Sequence, residues 1–249
     1  MNRLVITMGD PCGVGPEIIV KFFDGIYKVE DKRLFLVVVG SKSVLEYYKK
    51  KLRIDLEIVE ITKAHIVDGK LENGKLHLIN IDTDIDKLEF GKHTELGGAL
   101  SIKYLDKAIE LCHGKYVDGI VTCPISKDSI NMAGFKYSGH TEYLAEKSKT
   151  EDFAMVLKGK KVVVLLNSTH VSLKEAINRV TKESVLNKIR LAQKAKKELG
   201  LTGSIAVAGL NPHNGENGLF GTEEIEIIAP AVEEAQKEAI DCEGPIVPD

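Results

Sequence analysis

The chain has 249 residues, of which 43% are hydrophobic and 29% charged, which is enough apolar side chain for a sizeable core beneath a water-facing surface. Its 34 Lys and Arg residues are balanced by 37 Asp and Glu residues, giving a formal net charge of -3. This balance lacks the basic excess that releases counterions from a phosphate backbone, so we expect no nucleic-acid partner. No apolar run approaches the roughly 20 residues that cross a bilayer, so we expect no membrane partner.

The cysteine pattern excludes two classes of small scaffold. Cys12, Cys112, Cys123 and Cys242 are widely spaced and form no C-x-x-C pair. Neither a zinc knuckle nor a disulfide framework is therefore indicated. The pattern is typical of a reduced protein, and we expect a cytoplasmic location.

Short apolar runs rich in Val and Ile alternate along the chain with longer amphipathic segments. This alternation predicts an α/β fold in which helices cover both faces of a mainly parallel sheet. An amphipathic helix is predicted over residues 184–199. The predicted strands, each bounded by Gly, Asp, Asn or Pro, are residues 4–7, 34–39, 56–61, 119–122, 161–166 and 205–208.

A polar stretch over residues 82–98, rich in Asp and Gly, interrupts this alternation. It predicts a connection at a cleft or at a subdomain boundary. We expect two α/β/α subdomains with a cleft between them. The first covers residues 1–125, and the second, which carries the candidate metal ligands, covers residues 126–249.

Residues 6–17, Ile-Thr-Met-Gly-Asp-Pro-Cys-Gly-Val-Gly-Pro-Glu, follow a predicted strand and precede an apolar helical run. Pro16 suits the first turn of that helix, where its missing N–H would be unpaired in any case. The segment is neither G-x-G-x-x-G nor G-x-x-x-x-G-K-[ST], so it predicts no ordinary dinucleotide or nucleotide loop. Two interpretations stay open: a structural turn, or the similar turn that opens the isocitrate and isopropylmalate dehydrogenase superfamily.

His140 and Thr141 lie in Gly-His-Thr-Glu at the expected start of a helix. Backbone amides and the positive end of the helix dipole favour an anionic group at such a position. An imidazole and a hydroxyl side by side there predict a clamp for an anion or a hydroxyl.

His170 and His213 each follow a predicted strand, in Asn-Ser-Thr-His and Asn-Pro-His-Asn respectively. Open α/β sheets bind ligands beyond the carboxyl ends of their strands. Two neutral imidazoles there predict a divalent metal site, with incidental surface histidines as the alternative interpretation.

Three further charged residues have weaker support. Lys127 also follows a strand, where it is either a point charge for a phosphate or carboxylate or a solvated lysine. Glu216 and Glu223 are candidate acids at a helix start. No role is assigned to the other four histidines: His65, His77, His93 and His113.

Several of these segments occur in the order seen in one family. They are residues 6–17, 121–127, 139–142, 169–170, 209–216 and 221–225, together with Gly244, Pro245 and Asp249. The chain resembles the 4-hydroxythreonine-4-phosphate dehydrogenases of pyridoxal phosphate biosynthesis. The resemblance implies a fold like that of isocitrate and isopropylmalate dehydrogenase, and a homodimer with its active site at the subunit interface.

The resemblance also implies the chemistry. His140 and Thr141 would hold a phosphorylated hydroxy amino acid, 4-phosphohydroxy-L-threonine, and His170 and His213 would bind zinc, magnesium, manganese or cobalt. NAD or NADP would accept a hydride from the secondary hydroxyl. The resulting β-keto acid would lose CO2 to give 3-amino-2-oxopropyl phosphate, helped by a metal that polarises the carbonyl.

Family members continue beyond the position of Asp249, through a third metal-binding histidine and much of the cofactor site, as the resemblance implies. We therefore expect this chain to carry only part of the active site. One alternative is a catabolic relative acting on 4-phosphothreonate or 4-phosphoerythronate. Others are a non-catalytic, truncated binding paralogue and, more distantly, a phosphate acetyltransferase-like enzyme.

Overall fold

The computed structural model describes residues 2–25, 34–69, 72, 74–137 and 139–247. Asp249, part of the resemblance, lies outside the described residues. The chain divides into two compact units, Met1–Lys149 and Thr150–Asp249. The division falls later in the chain than the predicted boundary after residue 125.

The first unit is built on a parallel sheet of five strands in the order β3-β4-β2-β1-β5. Strands buried on both faces need continuous apolar sequence, and the central Leu-Phe-Leu-Val-Val-Val-Gly run supplies it. The strands are β1 (Asn2–Thr7), β2 (Leu34–Gly40), β3 (Ile58–Glu60), β4 (Leu76–Asn80) and β5 (Gly119–Thr122).

Six α-helices accompany this sheet among the described residues. They are α1 (Gly15–Gly25), α2 (Lys42–Leu52), α3 (Lys63–Val67), α4 (Glu95–His113), α5 (Lys127–Met132) and α6 (His140–Lys147). Apolar residues of α1 and α2, such as Phe23 and Leu45, pack with the strands in the main core. As predicted, Pro16 lies in the first turn of α1.

Helix α4 buries two faces, which explains where the first unit ends. Leu100 and Tyr104 belong to the core around the sheet. Leu105 forms a second cluster with Ile130 of α5 and Tyr143 of α6. Because α5 and α6 pack on the far side of α4, residues 126–149 belong to the first unit rather than the second.

The second unit contains three α-helices in its described part. They are α7 (Leu173–Asn178), α8 (Lys182–Glu198) and α9 (Ala229–Lys237). Its strands are β6 (Val156–Lys158), β7 (Val163–Leu165), β8 (Ile205–Ala208) and β9 (Cys242–Ile246). Strands β8 and β9 are parallel, and a small core joins them to α8 and α9.

The predicted α/β class with a parallel central sheet is confirmed, but one predicted strand pairs differently and the polar stretch 82–98 does not lie at the boundary between the units. The strand predicted over 161–166 forms an antiparallel pair with β6 instead of joining a parallel sheet, and Val162 is 63% exposed. The polar stretch 82–98 joins β4 to α4 within the first unit, and Gly97 and Gly98 lie in the first turn of α4. No helix in the described part of the chain is long and apolar enough to cross a membrane.

The packing of α4 on α5 predicts a specific sensitivity at Gly98. A Cβ there would lie 1.9 Å from the carbonyl oxygen of Ser129, so Gly98→Ala must push the helices apart. We expect a loss of about 1–3 kcal/mol in the free energy of unfolding, measured by urea denaturation. Gly25→Ala is the control, because no described atom lies within 4 Å of its Cβ position. Equal stability of the two variants would contradict the packing described.

Candidate functional site

The turn between β1 and α1 packs backbone against backbone. Gly9 has φ +73°, and a Cβ there would lie 2.2 Å from the carbonyl oxygen of Pro124 in the loop after β5. A Cβ on Gly15 would lie 2.0 Å from the carbonyl oxygen of Met8. The turn therefore needs glycine at both positions to reach the β5 loop.

Asp10 is a buried carboxylate, 5% exposed, at the centre of this turn. Its Oδ1 accepts a hydrogen bond from the Cys12 N–H at 2.9 Å, and its Oδ2 accepts one from the Ser129 hydroxyl at 3.0 Å. The Thr94 N–H in turn donates to Ser129 Oγ at 3.3 Å. A buried charge needs such partners, and here they link the beginnings of α1, α4 and α5. Asp10 lies within the motif of residues 6–17, but the motif alone does not indicate its role.

These segments lie at the carboxyl ends of β1 and β5. The chain leaves β1 toward β2 on one side, whereas β5 lies on the other side of β1. In open α/β sheets, ligands bind beyond the carboxyl ends of strands at such a change of direction. Lys127 is the exposed first residue of α5 at this edge, as predicted.

His140 is the first residue of α6, so its predicted helix-start position is confirmed. The carbonyl of Cys123 lies close to its ring and raises the pKa of the imidazole, while Nε2 is buried without a hydrogen-bond partner. A neutral imidazole has one acceptor nitrogen and one N–H donor, so the unpartnered Nε2 is available to a ligand. Burial lowers the pKa of His140, and the hydrogen bond to the Cys123 carbonyl raises it by less. The neutral ring can accept a hydrogen bond from a hydroxyl or an ammonium group.

Thr141 is the second residue of α6 and is half-buried. The N–H groups of a first helical turn have no partners within the helix, so they and the Thr141 hydroxyl are donors for an anion. His140 and Thr141 thus offer an acceptor and a donor side by side, which suits a ligand with both hydroxyl and anionic groups.

His93, which the sequence analysis left without a role, lies at the same edge. Its Nδ1 is 2.7 Å from Ser126 Oγ, and Ser126 caps α5 by accepting the Ser129 N–H. The imidazole is 62% exposed. The only sequence signal for it was its position just before Thr94, the N-cap of α4.

In the second unit, His213 follows β8 as predicted, but in an unusual conformation. Residues 213–217 all have positive φ, which makes a left-handed turn. His170 also has positive φ, 55°, and it follows the antiparallel strand β7 rather than a strand of a parallel sheet. Both histidines are exposed. Strained backbone of this kind is concentrated at functional sites.

The two candidate acids of this region differ. Glu223 immediately precedes a π-helical turn over Glu224–Ile228, as expected of a helix-start acid, and its Oε2 accepts from the side-chain amide of Asn211 at 2.7 Å. Glu216 does not start a helix, because it lies inside the left-handed turn. The neighbouring Glu224, which no prediction singled out, is almost fully buried. Burial raises the pKa of Glu224, but hydrogen bonds from Asn211 and the Leu210 N–H outweigh it and lower the pKa overall.

The donor set for a metal is incomplete. The described residues contain no group of three or more His, Cys, Asp or Glu side chains arranged to hold a metal ion. A catalytic zinc normally takes three protein ligands and one open position. His170 and His213 therefore do not form a full site by themselves, and their metal role stays a prediction.

Comparison with known proteins agrees with a ligand-binding α/β enzyme. The sequence profile of the family described as pyridoxal phosphate biosynthetic protein PdxA matches residues 32–249. A Sulfurihydrogenibium protein named 4-hydroxythreonine-4-phosphate dehydrogenase is 40% identical over 251 residues, covering 100% of this chain and 75% of the relative. A Fusobacterium nucleatum protein, provisionally named D-threonate 4-phosphate dehydrogenase, is 43% identical over 246 residues, 98% of this chain and 73% of the relative.

Among solved structures, the 4-hydroxythreonine-4-phosphate dehydrogenase of Klebsiella pneumoniae is similar, with a TM-score of 0.90 and 33% identity. It is matched over 100% of this chain and 74% of its own. The fold and the residues at the strand ends thus define a member of an α/β dehydrogenase class. The chain belongs to the PdxA family, as the resemblance in its sequence implied.

The buried, neutral His140 predicts a pH effect on stability. Because its folded pKa lies below the ordinary value of 6.5, the folded chain binds fewer protons than the unfolded chain as the pH falls below that value. Stability should therefore fall on acidification from pH 7 to 5.5, measured by urea unfolding. His140→Asn replaces the titrating ring with an amide that can still donate to the Cys123 carbonyl, so this variant should lose less stability over the same pH range. Burial also lowers the pKa of His77, so His77 accounts for part of the loss that the variant still shows. An unchanged pH dependence in the variant would contradict a neutral His140.

Proposed function

We propose that this protein is the NAD(P)-dependent dehydrogenase that oxidises 4-phosphohydroxy-L-threonine and releases CO2 to form 3-amino-2-oxopropyl phosphate. Family membership and the names of the Sulfurihydrogenibium and Klebsiella relatives support the reaction. The observation that carries it is His140, a half-buried ring at a helix start whose Nε2 is buried without a hydrogen-bond partner. A substrate with hydroxyl, ammonium and phosphate groups matches that combination.

Each residue at the start of α6 has a separate task in this proposal. His140 Nε2 accepts a hydrogen bond from the substrate's hydroxyl or ammonium group and so orients the carbon that is oxidised. The Thr141 hydroxyl and the N–H groups of the first turn donate to the phosphate or the carboxylate. Because His140, Thr141 and these N–H groups belong to one helical turn, little reorganisation is needed when the substrate binds.

NAD or NADP, when bound, accepts the hydride, and a divalent metal (zinc, magnesium, manganese or cobalt) favours loss of the hydroxyl proton. The segment after β1 lacks the G-x-G-x-x-G fingerprint, so we assign no cofactor residues. Since the described residues supply an incomplete set of metal ligands, His170 and His213 would give the ion only part of its coordination, and we assign them no proton or hydride transfer.

A second substrate is favoured by the names of other relatives. The Fusobacterium protein and a Clostridium botulinum protein that is 40% identical are both provisionally named D-threonate 4-phosphate dehydrogenase. That substrate carries a hydroxyl where 4-phosphohydroxy-L-threonine carries an ammonium group. Both groups can donate to His140 Nε2, so the choice between them needs a kinetic measurement.

We also propose a homodimer with the active site at the subunit interface. Apolar side chains on α7 and on the hairpin β6–β7 are exposed, with Leu173 the most exposed at 85%. Large exposed apolar surface commonly marks an interaction site. The exposed apolar residues of the hairpin and of α7 are Leu157, Val162, Val164, Leu173 and Ile177.

We also propose a cytoplasmic location, since all four cysteines are free thiols.

The substrate assignment is tested by the rate of NADH or NADPH formation by the natural full-length protein. We expect a higher kcat/KM for 4-phosphohydroxy-L-threonine than for D-threonate 4-phosphate. Thr141→Val removes one hydroxyl and should weaken substrate binding by about 1–3 kcal/mol, seen as a raised KM. Thr202→Val, in an exposed loop, is the matched control. Faster turnover of D-threonate 4-phosphate, or an unchanged KM in Thr141→Val, would contradict the assignment.

The metal assignment is tested by metal content after dialysis against a weak chelator. We expect His170→Ala and His213→Ala each to retain less zinc, manganese or cobalt than the parent protein, since each removes an imidazole ligand. His113→Ala, an exposed histidine in the first unit, should retain as much as the parent. Stoichiometric metal in both variants would show that these histidines are not ligands.

A further inference from the structure

Glu224 accepts three hydrogen bonds from the loop that carries His213, although it lies eleven positions further along the chain than His213. Its side chain is 2% exposed. Oε1 accepts hydrogen bonds from the N–H groups of Leu210 at 2.7 Å and Asn211 at 2.6 Å. Oε2 accepts one from the side-chain amide of Asn211 at 2.9 Å. A single carboxylate thus binds both the backbone and the side chain that precede the left-handed turn.

The turn itself is unfavourable without such support. Residues 213–217 have φ values of 51°, 56°, 73°, 42° and 54°, and only Gly215 among them is a glycine. Asn214 and Asn217 tolerate left-handed backbone, but it costs other L-residues on the order of 1–2 kcal/mol, so His213 and Glu216 oppose this conformation. Contacts outside the turn must therefore maintain it.

The surrounding residues leave little room for another arrangement. A Cβ on Gly209 would lie 2.0 Å from Asn214 Oδ1, and a Cβ on Gly215 would lie 2.7 Å from the carbonyl oxygen of Gly221. The side-chain amide of Asn214 donates to the Pro245 carbonyl at 2.8 Å. These contacts fix the far side of the turn, while Glu224 fixes its beginning.

We propose that Glu224 is a positioning residue, whose carboxylate clamps the left-handed turn so that His213 keeps one orientation beyond the carboxyl end of β8. The kinetic part of this inference rests on the proposed function. The structural part concerns only the conformation of residues 210–217 and can be tested without any turnover.

Glu224→Gln should break the clamp while preserving its size. The glutamine oxygen can still accept from the backbone, but its NH2 group then faces the NH2 group of Asn211. Asn211 cannot simply rotate its amide, because the same nitrogen donates to Glu223 Oε2 at 2.7 Å. Glu226→Gln is the matched control: it removes the same charge from the same helical segment at an exposed position.

The kinetic arm is a double-mutant cycle in the natural full-length protein. We expect Glu224→Gln to lower kcat/KM about tenfold or more, as displacement of a site group does, and Glu226→Gln to leave it unchanged. If Glu224 acts through His213, the same change in a His213→Ala background should cost nothing further. Full activity of Glu224→Gln, or losses that multiply in the double variant, would overturn the proposal.

The second arm is the NMR signal of the His213 ring, identified by its loss in His213→Ala. We expect it to shift or broaden in Glu224→Gln and not in Glu226→Gln. If Glu224→Gln does not fold, Asn211→Ala, which keeps the Leu210 and Asn211 N–H bonds to Glu224, should show the same change. An unchanged His213 signal overturns the proposal. A shifted signal in a protein that turns over neither substrate supports the clamp and rejects only the proposed function.

Discussion

The close approach of the β1–α1 turn to the loop after β5 is the constraint on which the first unit's site depends. The Asp10 N–H donates a hydrogen bond to the Pro124 carbonyl at 3.0 Å. This approach is possible because Gly9 has no side chain, since a Cβ there would collide with the same carbonyl oxygen. The carbonyl of Cys123, the residue before Pro124, lies close to the ring of His140 and raises its pKa. The surroundings of His140 therefore depend on where the β5 loop is held, and that loop is held by the turn that begins at Gly9.

Both units use a buried carboxylate for the same purpose. Asp10 accepts from the Cys12 N–H before α1 and from the Ser129 hydroxyl in α5, and Glu224 accepts from N–H groups of the loop after β8. In each case an otherwise unfavourable buried charge is satisfied by backbone and hydroxyl or amide donors. Loops held in this way can present His140 and His213 without reorganising on each turnover, which is what electrostatic preorganisation requires.

Much of this could be predicted from the sequence wherever one physical signal dominates. Strands β5 and β8 lie where the apolar runs place them, and the helix-start position of His140 follows from Gly-His-Thr-Glu. Strand β4 was not among the predicted strands, because the polar His77 lies between its leucines. The buried His77 ring is stabilised by a hydrogen bond that its Nε2 accepts from the Glu72 N–H.

Other features depend on contacts between residues distant in the chain. The antiparallel pairing of β7 could not be inferred from its own apolar run. His170 therefore does not lie beyond the carboxyl end of a parallel-sheet strand, which was the reason for expecting a ligand there. The roles of Asp10 and Glu224 depend on partners 119 and up to 14 positions away. Two Asn-Gly pairs, Asn214-Gly215 and Asn217-Gly218, indicate a turn after β8, but the positive φ of His213 and Glu216 within it does not follow from local propensity.

The central claim is that the His140 site holds a phosphorylated hydroxy amino acid that is oxidised and then loses its carboxylate. Mass spectrometry of the product formed from 4-phosphohydroxy-L-threonine and NAD or NADP by the natural full-length protein tests it most directly. The account predicts 3-amino-2-oxopropyl phosphate, formed together with one CO2 per reduced cofactor. A product that keeps the carboxylate, or recovery of unchanged substrate, would contradict it.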